Sequence, residues 1–270
     1  MSAETAVSGV VVSADGTSIA YDRSGEGPAL VLVQGAFTDR RHPMMTAIAT
    51  ALARWFTVYN YDRRGRGGSG DTQPYAVGRE IEDLAAVVAA AGGSAMVFGG
   101  SSGAALALEA AVVCPDISKL AVWEPPYHVD DSAPHLPPDF AEQLAGLVAA
   151  GRAGEAVERF MVEAAEASRA DVAAMRARPF WAQIEAVAPT LAYEAAVLGP
   201  GNALPAGRLA AIRQPTLVLN GADSPGWMAN AGEAVAAVVP GAVRRVLEDQ
   251  AHNVAPEALA PELLEFFVTA

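Results

Sequence analysis

The chain has one cysteine, Cys114, one lysine, Lys119, and four histidines among its 270 residues. A lone thiol closes no internal disulfide, and so few Cys and His residues offer no zinc-type spacing, so neither a disulfide scaffold nor a metal module is expected. No cofactor is expected either: the phosphate-cradling pattern G-x-x-x-x-G-K-[ST] is missing. The unpaired cysteine fits a reducing compartment, which makes a cytoplasmic location the expectation. MSAETAV at the start lacks the basic and then apolar stretch of a secretory signal. Positive charge is also short. Eighteen Lys and Arg against 31 Asp and Glu leave a net charge of −13, which repels a phosphate backbone or an anionic lipid surface. Nucleic acid and membrane are therefore not expected partners, and a small molecule is.

What is abundant is apolar: 52% of residues are hydrophobic and 18% charged, a balance that excludes a disordered chain. From Leu84 to Leu108 there are 25 consecutive residues without a charge, long enough to cross a bilayer. Gly92-Gly93-Ser94 and Gly99-Gly100-Ser101-Ser102-Gly103 break that run, which reads instead as helix, buried strand, sharp turn and second helix. Strand patterns fall at Val10–Val12, Ser18–Tyr21, Ala29–Val33, Phe56–Tyr61, Ala95–Phe98, Leu120–Trp123, Pro215–Leu219 and Val243–Leu247. From Ala29 onward they alternate with helical patterns at Met44–Ala53, Arg79–Ala91, Gly103–Val113, Met228–Val238 and Pro261–Val268. Such alternation predicts an α/β fold with a mostly parallel sheet flanked by helices. After Trp123-Glu124-Pro125-Pro126 the rhythm breaks into helical patterns at Phe140–Ala150, Gly154–Ala167, Asp171–Arg176 and Phe180–Leu198. Residues 1–127 and 206–270 are expected to form the core and 128–205 a helical lid, within one structural domain.

Gly99-Gly100-Ser101-Ser102-Gly103 matches G-x-S-x-G, in which a serine sits on a strained strand-to-helix turn. The apolar strand before it and the alanine-rich helix after it supply the setting that this turn requires. A serine hydroxyl needs a base, usually a histidine oriented by a carboxylate. Of the four histidines only His252 falls late in the chain, after the last strand pattern, in Asp249-Gln250-Ala251-His252-Asn253. A plain turn at Ser101 and an exposed loop residue at His252 are the bland alternatives.

With these residues in view, the sequence resembles the α/β-hydrolase superfamily over essentially its whole length. The resemblance rests on Val33-Gln34-Gly35-Ala36, on Tyr61-Asp62-Arg63-Arg64-Gly65-Arg66-Gly67-Gly68-Ser69, on the serine turn and on His252. It implies Ser101 as nucleophile, His252 as base, and the backbone N–H groups of Ala36 and Ser102 as the oxyanion hole. It also implies that the charged stretch at 62–66 is a structural loop. Gln34 stands where the family more often has His. The acid departs from the commonest pattern, an Asp three residues beyond a Gly: Asn220-Gly221-Ala222-Asp223-Ser224 puts Asp223 one residue early. Some haloalkane dehalogenases and the zearalenone-type lactone hydrolases instead place the acid after the strand that follows the serine helix, where Glu124 stands here. Glu124 and Asp223 both remain candidates, with Glu124 preferred. Serine rather than aspartate at the turn excludes a typical epoxide hydrolase or dehalogenase.

Phe37, Trp181, Trp227 and Met228 are the expected substrate-facing side chains, so an apolar substrate is expected. The resemblance implies a serine hydrolase that cleaves an ester, lactone or thioester of a small, largely apolar substrate through an acyl-enzyme. Two rivals use the same residues differently: a non-hydrolytic lyase or cyclase of secondary metabolism, and a small-molecule receptor on a hydrolase fold.

Overall fold

The computed structural model describes residues 6–269. Eight strands form one sheet: β1 (Val7–Val12), β2 (Ser18–Ser24), β3 (Ala29–Val33), β4 (Thr57–Tyr61), β5 (Ala95–Gly100), β6 (Ile117–Trp123), β7 (Thr216–Gly221) and β8 (Val243–Leu247). Their spatial order is β1-β2-β4-β3-β5-β6-β7-β8. The β1–β2 and β2–β4 pairs are antiparallel and the remaining pairs parallel.

The helices are α1 (Pro43–Leu52), α2 (Val77–Ala90), α3 (Ser102–Val113), α4 (Phe140–Ala149), α5 (Ala153–Arg159), α6 (Arg169–Arg176), α7 (Trp181–Ala186), α8 (Leu191–Leu198), α9 (Ala206–Leu209), α10 (Gly226–Val238) and α11 (Pro256–Val268). Because side chains alternate across a strand, each central strand feeds two cores. Val31, Val33, Leu120 and Val122 pack with Leu84 and Val87 of α2, Leu106 of α3 and Val235 of α10. Leu30, Leu32, Ala121 and Trp123 pack on the other face with Ile48 and Leu52 of α1 and with Leu259 and Leu263 of α11.

The uncharged run of the sequence is the centre of this arrangement. It spans the end of α2, β5 and the start of α3, and α3 is buried on nearly every side, as a helix without a polar face must be. No helix among the described residues is long and apolar enough to cross a membrane. The single lysine has a structural post. Lys119 Nζ donates to the carbonyls of Phe266 (3.2 Å) and Phe267 (3.1 Å), among the acceptors left open at the end of α11.

Between β6 and β7 the chain makes a helical excursion with its own apolar cluster, built on Phe140, Leu144, Val157, Phe160, Trp181 and Leu191. A bridge between His128 and Ala203 joins its two ends. The single helix expected over Phe180–Leu198 is two: α7 and α8 are separated by a tight 3-10 turn, Ala188–Thr190. Pro189 has no N–H to continue the ladder, and the Thr190 hydroxyl donates to the Val187 carbonyl instead (2.8 Å). The last helix starts at Pro256 rather than Pro261. A proline fits the first helical position, where no N–H partner is needed, and Gln250 Oε1 accepts from the Ala255 N–H just before it (2.9 Å).

Candidate active site

β3 has β4 on one side and β5 on the other, so the chain reverses its direction of travel across the sheet at β3. A crevice opens beyond the carboxyl ends of strands at such a reversal, and both the Gln34 loop and Ser101 sit there. Ser101 lies between β5 and α3 with φ 56°, a left-handed conformation that is strained for a residue with a side chain. Both flanking glycines are required by contact. A Cβ on Gly99 would lie 2.5 Å from the Gly103 carbonyl oxygen, and one on Gly103 would lie 2.4 Å from that of Val33. The Ser101 side chain makes no cap bond to its own helix, which leaves the hydroxyl to the crevice.

Glu124 follows β6 and His252 lies in the loop after β8. Glu124 Oε2 meets His252 Nδ1 at 2.7 Å, and its Oε1 accepts the Gly221 N–H at 2.8 Å. Glu124 is fully buried and has φ 45°, so a strained backbone holds the carboxylate in place. Asp223 is exposed on the turn after β7, where its N–H donates to the Gln250 carbonyl (2.9 Å). Of the two candidate carboxylates, Glu124 reaches the imidazole and Asp223 does not. Trp123 adds a tether, its Nε1 donating to the His252 carbonyl at 2.9 Å. Ser101 and His252 line the same cavity without a direct hydrogen bond between them, a looseness common before substrate arrives.

The loop after β3 carries Ala36. Ser102 opens α3, where a backbone N–H has no intrahelical acceptor. Neither the Ala36 nor the Ser102 N–H donates to an acceptor among the described residues. Two buried arginines hold this loop from below. Arg66 Nη1 donates to the carbonyls of Gly35 (2.6 Å) and Thr38 (3.3 Å), and Arg63 Nη1 to that of Gln34 (3.1 Å). Arg63 pairs with Glu80 (2.7 Å) and with Glu194 of α8 (2.7 Å), and Arg66 pairs with Glu194 as well. Arg66 Nε also donates to Thr190 Oγ1 (3.0 Å). Burial penalises both charges, yet Arg63 holds Glu80 below the usual carboxylate range and Glu80 holds Arg63 above its ordinary value. The stretch at 62–66 is internal scaffolding that reaches from the helical excursion to the loop beside Ser101.

Over these groups lies a cavity of about 990 Å³. Its walls are mainly apolar: Met44, Met45 and Ile48 from α1, Phe140, Phe160 and Leu198 from the excursion, and Trp227 and Met228 from α10. Phe37 also lines it, with its ring edge-on to Phe160 at 5.5 Å. Trp181 departs from expectation. It is buried in the core of the excursion, its Nε1 donates to Glu185 Oε1 (2.6 Å), and it is not part of the cavity wall. The wall from α1, the Trp123 tether and a carboxylate at Glu166 were not anticipated, although the apolar Met44-Met45 pair just past the Gln34 loop was the available signal. Among the described residues no group of three or more His, Cys, Asp and Glu is arranged to hold a metal ion.

A model of the Alpha/beta hydrolase family matches residues 30–263. An alpha/beta hydrolase from Sphaerobacter thermophilus DSM 20745 has a similar structure, with a TM-score of 0.89 and 52% identity over 96% of this chain and 100% of that one. A thermophilic esterase from Thermogutta terrifontis superimposes with a TM-score of 0.68 at 25% identity, over 97% of this chain and 98% of that one. The uncharacterized hydrolase YraK of Bacillus subtilis (strain 168) is 34% identical over 105 residues, which span 37% of this chain and 38% of that relative. With the family model covering most of the sheet and the serine turn, and a 52% identical hydrolase matching nearly end to end, the chain belongs to the alpha/beta hydrolase family and is a hydrolase.

Proposed function

We propose that the protein is a serine hydrolase that cleaves an ester, lactone or thioester of a small, largely apolar substrate through an acyl-enzyme. The observation that carries this reading is the 2.7 Å contact between His252 Nδ1 and the buried Glu124 carboxylate, on the wall of the cavity that Ser101 also lines. Glu124 holds the Nδ1–H tautomer, so Nε2 is free to accept the Ser101 proton. Ser101 Oγ then attacks the carbonyl carbon, and the oxyanion is received by the N–H groups of Ala36 and Ser102. Losing one such donor typically costs roughly 3 kcal/mol of barrier. His252 returns the proton to the leaving alkoxide or thiolate as the bond breaks, then activates a water that releases the acid and restores Ser101. The mainly apolar walls favour a hydrophobic acyl or alcohol group, and the esterase among the structural neighbours fits the same class.

The helical excursion serves in this reading as a lid over 128–205, with the core at 1–127 and 206–270. The His128–Ala203 bridge at its base and the cavity lining from Phe140 and Phe160 support that division.

A panel of p-nitrophenyl and lactone substrates, together with a fluorophosphonate probe, tests the proposal. Expected are pre-steady-state bursts of p-nitrophenol and labelling of Ser101, both abolished in Ser101→Ala. Ester turnover that survives Ser101→Ala would sink it.

A further inference from the structure

Among the described residues, Glu166 is the only Asp, Glu, Lys or Arg that lines the cavity. Its position is built. It follows a π-helical turn, Phe160–Ala164, and is flanked by the bonds from Ala165 N–H to the Phe160 carbonyl (3.1 Å) and from Ala167 N–H to the Met161 carbonyl (2.8 Å). Between them Glu166 takes φ 54°, a conformation that surrounding contacts must enforce. The side chain is pinned too: Trp227 Nε1 donates to Glu166 Oε2 at 2.6 Å, and Trp227 is itself buried with the His128 ring edge-on against it at 5.4 Å. Oε1 has no donor, and no Lys or Arg pairs with Glu166 among the described residues. The walls around it carry no positive charge from lysine or arginine.

Glu166 is exposed, so it stands where the apolar cavity meets solvent, and a fixed carboxylate with one open oxygen and no Lys or Arg beside it among the described residues favours a cation of suitable reach. Its exposure leaves the charge screened by water, so the selectivity it confers is that of an exposed ion pair. Resting on the serine-hydrolase reading, we propose that Glu166 is a specificity-determining residue that selects ester substrates bearing a protonated amine away from the scissile bond. The ammonium donates to Oε1 while the rest of the substrate lies on the apolar walls. The same carboxylate repels substrates that carry a carboxylate in that place.

The test compares four esters that share acyl group and length and end in ammonium, hydroxyl, methyl or carboxylate, with wild type and with Glu166→Gln. Glutamine keeps an acceptor for Trp227, so folding is preserved. In wild type the ammonium-to-methyl ratio of kcat/KM is expected to be about three, and the carboxylate-to-methyl ratio about one third, the size of one exposed charge–charge interaction. Both ratios should approach one in Glu166→Gln, and both should shrink as salt is raised. Equal ratios in the two proteins would overturn the proposal. So would a preference for hydroxyl that matches the ammonium preference and survives in the glutamine variant. If no ester is turned over and Ser101 is not labelled, the hydrolase reading itself fails. Equilibrium binding of the four matching methyl ketones to the two proteins then still decides the charge preference.

Discussion

Two regions meet at the loop between Gln34 and Thr38, and they are built from opposite materials. Below the loop, Arg63, Arg66, Glu80 and Glu194 are buried together, and both arginines also donate to loop carbonyls. Above it, the cavity is mainly apolar and carries one carboxylate. Burying ions gains little net stability unless every group is paired, so a dense charged floor is a poor way to make the fold stronger. It is a good way to fix directions, since a planar guanidinium presents its donors in a rigid fork. The mainly apolar roof does the reverse, offering contact area with few angular constraints. In the proposed mechanism the floor aims the backbone donors of the site, and the cavity above chooses what is held against them.

The largest effect should come from Glu124, which belongs to neither region but meets the histidine on the cavity wall. Glu124→Gln keeps the shape but loses the charge that orients His252, and kcat is expected to fall by about 10³ to 10⁴ on any turned-over ester. Asp223→Asn, on its exposed turn, should stay within about twofold, the scatter of an ordinary surface change. A larger loss from Asp223→Asn than from Glu124→Gln would mean that the contact at Glu124 is not the one used in turnover.

Next comes the floor itself. Glu194→Gln leaves Arg66 without an anion and Arg63 with only Glu80, so about 3 to 5 kcal/mol of stability should be lost in urea unfolding. Measured on the folded fraction at low temperature, kcat should drop with little change in KM, because the oxyanion donors lose aim while the apolar walls remain. A stability loss with unchanged kcat would break the division of labour between floor and roof. On the other side, Phe160→Ala removes a buried ring that contacts both Phe37 and Phe140. About 3 kcal/mol of stability should go with it, and KM for long-chain esters should rise more than kcat falls.

A pH experiment sharpens the same contrast. Glu80 is held below the ordinary carboxylate range in the folded protein, so its pairing stabilises fully above the unfolded value of about 4.3 and is lost as pH falls through the lower folded value. Urea unfolding of wild type and Glu80→Gln from pH 7 down to 3 should show a stability gap that narrows at the acid end. A gap that stays constant would mean that the floor is held by shape rather than by charge.

The same contrast explains what was legible in the sequence. All eight strands were visible, because alternating burial on two faces leaves uninterrupted apolar runs such as Ala29–Val33, bounded by glycine and proline. The serine turn was visible because close approach demands glycine at Gly99 and Gly103, whatever surrounds them. The acid stayed open because Glu124 and His252 are 128 positions apart and meet only through the lateral order β6-β7-β8. Trp181 and Trp227 look alike as letters. One faces the core of the excursion and the other the cavity, a difference set by how helices roll against each other. The charged stretch at 62–66 was legible as a structural loop only through the family resemblance, and its partner was not, since nothing local announces that Glu194, in another helix, lies against the two arginines.

The smallest test concerns the neutral tether, Trp123. Its indole packs with the core under β6 while Nε1 holds the His252 carbonyl at 2.9 Å. Trp123→Phe keeps most of the packing and leaves that carbonyl to find water, so a loss of about 1 kcal/mol is expected in urea unfolding. With His252 less firmly placed, kcat should fall a few-fold and KM hardly move. Because the tether is uncharged, raising the salt should not enlarge the deficit. A kcat loss as deep as that of Glu194→Gln would place the aiming of the site in the histidine loop as much as in the floor.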